Sequence, residues 1–157
     1  MRRLLIILLI AGGFVAADLT GLAEDARADK LYHTDQIALV PVDDAPLKAG
    51  HVINIHPNGP QIFARERYFL SGATPSTTYQ VNLLVYPFEP ECDGQAVVIP
   101  TAELKTNGVG NGTAQAVLRP ADIGEALHNN THGVSWEITL AGETVYEAAF
   151  CSSVALD

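Results

Sequence analysis

Residues 69–87 read FLSGATPSTTYQVNLLVYP, from Phe69 to Pro87. The cluster Ser71-Gly72-Ala73-Thr74-Pro75-Ser76 is a turn signal, and a long strand follows it. In that strand Tyr79, Val81, Leu83 and Val85 recur with a period of two, so they share one face. Gln80 and Asn82 face the other way. An apolar face of this length needs a core to lie against, and the neighbouring segments supply the other strands.

Upstream, Gln36–Val42 (QIALVPV) is a strand candidate, and Pro41 places it at a sheet edge. His51–His56 is a second, with His51, Ile53 and Ile55 on one face and His56 on the other. Pro57-Asn58-Gly59-Pro60 signals a turn, and Ile62–Leu70 is a third strand with Arg65-Glu66-Arg67 in its middle. Downstream come a loop, Pro87–Gly94, a short strand Ala96–Ile99, then Pro100 and Thr101–Thr106. Asn107-Gly108-Val109-Gly110-Asn111-Gly112 reads as a hairpin turn into Thr113–Leu118. These glycines lack the G-x-x-x-x-G-K-[ST] spacing of a phosphate cradle.

Pro120–Leu127 is the only helix-like piece, one or two turns long, with proline in the favoured first position. In Gly133–Leu140, Val134, Trp136, Ile138 and Leu140 alternate with Ser135, Glu137 and Thr139. The turn Ala141-Gly142-Glu143 returns the chain as Thr144–Cys151, a closing hairpin. Trp136, the one tryptophan, is expected to anchor the core. About eight short strands at regular spacing predict an all-β fold, an antiparallel β-sandwich of about seven to eight strands.

Within the opening stretch, Gly72-Ala73-Thr74-Pro75-Ser76-Thr77-Thr78-Tyr79-Gln80-Val81 resembles the G-x-x-P-x-T-x-Y-x-V run of fibronectin type III and related immunoglobulin-like domains. The resemblance implies an immunoglobulin-like sandwich, with Trp136 near the disulfide as in many such domains. It also implies that Tyr79 forms a tyrosine corner, its hydroxyl bonded to backbone a few residues upstream. It covers about a dozen residues. One strand follows the tyrosine strand in a fibronectin type III domain, whereas several strand-like runs follow here, so the topology must differ.

Residues 1–17, MRRLLIILLIAGGFVAA, join two arginines to a short apolar run and small residues. This reads as a secretory signal peptide ending after Ala17, with an end after Ala28 as the alternative. The run falls short of the roughly 20 apolar residues of a membrane-spanning helix. Residues 18–34 read as a polar N-terminal segment and 35–157 as the β-sandwich domain. Export to the cell surface or beyond is expected, with no membrane span after signal cleavage. Loss of residues 1–17 removes two arginines and no acid, leaving 7 basic against 18 acidic residues, a net charge of −11. Such a balance argues against nucleic acid or anionic lipid as a partner. In an exported chain the pair Cys92 and Cys151 is expected to form one disulfide.

The sequence offers little chemistry. Its five histidines include His51, His56, His128 and His132, the best candidates for a copper or zinc site, but no pair has a recognised zinc spacing. A blue-copper set would need a free cysteine and usually an axial methionine, and the only methionine is Met1. Glu89, Glu91 and Asp93 on one loop, with Asp43-Asp44 on another, are calcium candidates that fit no EF-hand loop. No serine lies in a G-x-S-x-G context. Asn111-Gly112-Thr113 and Asn129-Asn130-Thr131 match the N-x-[ST] glycosylation pattern. Tyr68, Phe69, Tyr86 and Phe88 are candidates for a sugar- or protein-binding patch. The expectation is a non-enzymatic module without a cofactor, recognising a protein or glycan at the cell surface through end loops or an exposed sheet face. The alternative is an exported protein binding copper, zinc or calcium through those histidines or acids.

Overall fold

A computed structural model describes residues 33–57 and 63–156 of the 157-residue chain. The expected signal peptide, nearly all of the polar N-terminal segment and the Asn58-Gly59-Pro60 turn lie outside the described residues. The fold is all-β and antiparallel. Its strands are β1 (His33–Pro41), β2 (Ala49–His56), β3 (Ala64–Ser71), β4 (Thr78–Tyr86) and β5 (Val97–Lys105). They continue as β6 (Gly112–Leu118), β7 (Asn130–Leu140), β8 (Glu143–Ala148) and β9 (Ser152–Leu156). The helix-like piece is two single 3-10 turns, Pro120–Asp122 and Glu125–Leu127. Among the described residues no helix is long and apolar enough to cross a membrane.

The pairing order is β5-β4-β7-β8-β1-β2-β3-β6, and β9 also pairs with β7. β1 belongs to both layers: His33–Ala38 pair with β2, and Leu39–Pro41 pair with β8. One layer is therefore β1-β2-β3-β6 and the other β5-β4-β7-β8/β9. They share β1 on one side and meet at the β5–β6 hairpin, where Thr106 bridges Gly112. The sandwich is nearly closed, like a barrel.

The opening stretch folds as its pattern requires: Tyr79, Val81, Leu83 and Val85 are all buried. They meet Trp136 and Ile138 of β7, Leu104 of β5 and Tyr146 of β8 in one apolar core. Three local readings are corrected. Ala96–Ile99 and Thr101–Thr106 form one strand, because the bulge at Thr101 lets β5 run past Pro100 along β4. Thr144–Cys151 breaks at Ala149–Cys151, and β9 then resumes pairing on the same edge of β7. The register shift between Ile138 and Thr139 buries Thr139 and leaves Leu140 half-buried.

The disulfide Cys92–Cys151 is formed, with Cα atoms 5.9 Å apart. It ties the β4–β5 connection to the β8–β9 junction. A Cβ at Gly133 would strike the Glu89 carbonyl oxygen and lie 2.9 Å from both the nitrogen and the sulfur of Cys92. Only glycine lets the loop lie this close to β7.

Candidate functional site

Inward positions on β2 and β3 hold polar side chains. Val52, Asn54 and His56 face the core, while Ile53 and Ile55 lie half-buried on the outer side with His51. On β3 the inward set is Ala64, Glu66, Tyr68 and Leu70. Glu66 is 1% exposed, directly across the ladder from Asn54. Trp136 Nε1 donates to Glu66 Oε1 at 3.0 Å, and the Tyr68 hydroxyl is hydrogen-bonded to Glu66 Oε2. Tyr68 also donates to Thr101 Oγ1 at 2.8 Å, and Thr101 donates to the Val81 carbonyl at 3.2 Å. The β5 bulge aims Thr101 across the core, so the chain of bonds stitches the two layers together. Burial raises the Glu66 carboxyl to about 7, although its hydrogen bonds with Tyr68 and Trp136 act in the opposite direction. Burial, then the adjacent Glu66 charge, raises Tyr68 as well.

Asn54, His56, Glu66 and Trp136 line a cavity of about 10 Å³, room for one water-sized molecule. Asn54 Oδ1 is buried and meets no donor among the described residues. The cavity is too small for a substrate.

At the other end of β4, Tyr79 is 2% exposed. Its hydroxyl accepts from the Thr74 N–H at 3.2 Å, five residues upstream, and lies 3.4 Å from the Tyr146 hydroxyl. Tyr146 donates to the Pro46 carbonyl at 2.9 Å. Five strands follow Tyr79. Trp136 finds its polar partner in Glu66 on β3 rather than at the disulfide loop.

The histidines go four ways. His51 stacks on Phe69 on the outer face, ring centroids 4.5 Å apart. His56 lines the cavity. His128 meets the Phe63 ring edge-on at 5.0 Å, with Nε2 3.3 Å from the Pro120 and Ile123 carbonyls. His132 is buried: Nδ1 accepts from the Phe88 N–H at 3.0 Å, and Nε2 donates to the Leu127 carbonyl at 2.7 Å. Glu89, Glu91, Asp93, Asp43 and Asp44 are all exposed. Among the described residues no three His, Cys, Asp or Glu are grouped to hold a metal ion. The four aromatics proposed as a patch also part company, since Tyr68 is in the core and Phe69 is on the outer face. Phe88 sits at the disulfide end, 59% exposed, with left-handed backbone (φ 62°). Such backbone is costly for a bulky residue and is held here by the bond to His132.

The outer face of the β1-β2-β3-β6 layer is an open surface defined by register. Across three strands it aligns His51, Phe69 and Thr113. Beside them the β5–β6 hairpin, with Lys105, Asn107 and Asn111, walls a groove of about 750 Å³. That volume is in the range of small-molecule sites. Neither family models, nor curated proteins, nor solved structures match this chain.

Proposed function

We propose that the chain is an exported, non-enzymatic recognition module of immunoglobulin or fibronectin type III-like character, acting at the cell surface or beyond. The observation that carries recognition is the groove on the open sheet face. There the stacked His51–Phe69 pair shares the lining with Asn107, Asn111 and Lys105. An apolar ring surface next to a few directed polar groups is how ligand sites combine contact area with orientation. Strand pairing supports the immunoglobulin-like part. With β2 to β8 taken in order as strands A to G, the A-B-E and C-F-G pairings are present. The fourth of these, β5 as D, departs by pairing with C instead of E. The Thr74–Tyr79 bond has the form of a tyrosine corner, but this lettering puts Tyr79 on C, whereas the corner of immunoglobulin-like domains lies on F.

A protein partner at the disulfide end is the second reading, favoured by the solvent-facing, left-handed Phe88. One binding screen separates the two. The purified protein is presented with a glycan panel and with cell-surface fractions, beside the variants Phe69→Ala and Phe88→Ser. Loss of binding in F69A alone, at an unchanged unfolding midpoint, is the expected result. Loss in F88S alone would favour the disulfide end. A midpoint raised by zinc, copper or calcium after EDTA treatment would move the reading to metal binding.

A further inference from the structure

The charge on the outer sheet face runs against that of the chain. Antiparallel partners share a face, so the register assigns every side chain of the β1-β2-β3-β6 layer to one side. On β3 the outward set is Arg65, Arg67, Phe69 and Ser71, and both arginines are exposed. β2 contributes His51, Ile53 and Ile55, and β6 contributes Thr113, Gln115 and Val117. β1 adds Thr34, Gln36 and Ala38. Among the described residues no Asp or Glu projects from this face, although the chain carries 18 of them against 9 Lys and Arg. Asp35 and Glu66, the acids of this layer's strands, lie on the inner side. Lys105 at the groove wall is a further cation, itself 3.9 Å from the Glu103 carboxylate.

From this face we infer that the ligand is an anionic, carboxylate-bearing polysaccharide lying along β3. The inference rests on the recognition reading above and names its ligand class. Arg65 and Arg67 are two residues apart on one strand, about 6.6 Å, so their two cations line up along β3. A guanidinium binds a carboxylate with two parallel hydrogen bonds, which a neutral sugar cannot offer. The row then reaches Phe69 and His51, whose stacked rings give a pyranose face an apolar floor. Asn107 and Asn111 also line the groove; their Oδ1 atoms accept backbone N–H groups of the turns, which leaves the Nδ2 donors for hydroxyl groups. With acids elsewhere on the molecule, the face that admits a polyanion is the one without them.

The test is affinity electrophoresis of the purified protein in gels holding polygalacturonate, neutral dextran or no polymer, followed by titration of the polymer that retards it. The expected result is retardation by polygalacturonate and not by dextran, weakening as salt is raised. R65Q/R67Q should weaken it about tenfold or more, and F69A should weaken it too, with unfolding midpoints unchanged. Retardation that survives R65Q/R67Q overturns the inference. Binding to dextran that F69A abolishes and R65Q/R67Q spares overturns the anionic ligand and leaves the recognition face standing. No retardation in any polymer overturns both. Binding to DNA or anionic vesicles in place of polygalacturonate overturns the polysaccharide assignment.

Discussion

Glu66 is the residue on which the interior turns. A carboxyl buried opposite Asn54, hydrogen-bonded to Tyr68 and Trp136 and with no Lys or Arg among the described residues on the inward positions around it, is held as the neutral acid below about pH 7. His56 is the other titratable side chain lining the cavity, Tyr68 is the one beside Glu66 on the inward face of β3, and Asp35 of β1 lies on the inner side opposite Asn54. Because the folded state raises this group from 4.5 to about 7, folding takes up a proton between those values. Its stability contribution is fully present below pH 4.5 and is lost as the pH climbs through 7. The difference, from this group alone, is about 3 kcal/mol. Urea unfolding at pH 5 and pH 8 should show the loss in the natural protein and much less of it in Glu66→Gln. The substituted carboxamide would keep an acceptor for Trp136 and a donor for Tyr68 but cannot ionise. Equal pH slopes in the two proteins would mean that Glu66 is ionised in the fold. The sequence held this cue, since Glu66 shares its strand face with Tyr68 and Leu70. The paired arginines on either side drew attention to a charged triplet rather than to the period of two.

At the scale of elements, what could be read depended on regular alternation. β4 and β7 announced themselves because their apolar faces run unbroken for four and three residues before any bulge. β2 did not: its two isoleucines mark the outer side, and its inner side carries Asn54 and His56. Bulges are invisible to a period count, so Thr101 read as the start of a strand when it is the residue that bends one. Thr101→Val keeps the shape and removes the acceptor for Tyr68. The expected cost is about 1–2 kcal/mol, moderated because Gln80 Nε2 still bonds the Val81 carbonyl at 2.8 Å. Denaturant unfolding measures it, and a stability equal to that of the natural protein would mean that Tyr68 needs only Glu66. Gly133→Ala probes the disulfide loop. The added methyl meets backbone atoms of Glu89 and Cys92, which cannot rotate away, so either the loop lifts or the strand bends. A loss of about 1–3 kcal/mol is expected, together with faster proteolytic nicking between Pro87 and Ala96. An unchanged nicking rate would show that the loop is not seated on β7. The candidate site was legible in its parts only: Phe69 and the arginines were visible in the sequence, but their shared face required the register of three strands.

At the scale of the molecule, order depends on how the two layers are held where no strand is shared. β1 joins them on one side, the Glu66-Tyr68-Thr101 bonds cross the interior, and the Thr106–Gly112 bridge closes the hairpin side. At the end bearing Phe88, the β4–β5 connection is long and mostly exposed, and little apolar surface binds it down. There the disulfide carries the constraint. It links residues 59 apart, and closing a loop of that length restricts the unfolded chain by about 4 kcal/mol in the chain-entropy account. Reduction should therefore lower the unfolding midpoint by roughly 10–20 °C for a domain of this size. The same fall is expected for the double variant Cys92→Ser/Cys151→Ser, which removes any effect of the reductant itself. The groove and the two arginines lie on the layer that the bridge does not touch. Binding by the reduced protein at about 25 °C should accordingly match that of the oxidised protein. A midpoint unmoved by reduction would mean that His132, clasping the Phe88 amide and the Leu127 carbonyl, already fixes that end without the bridge.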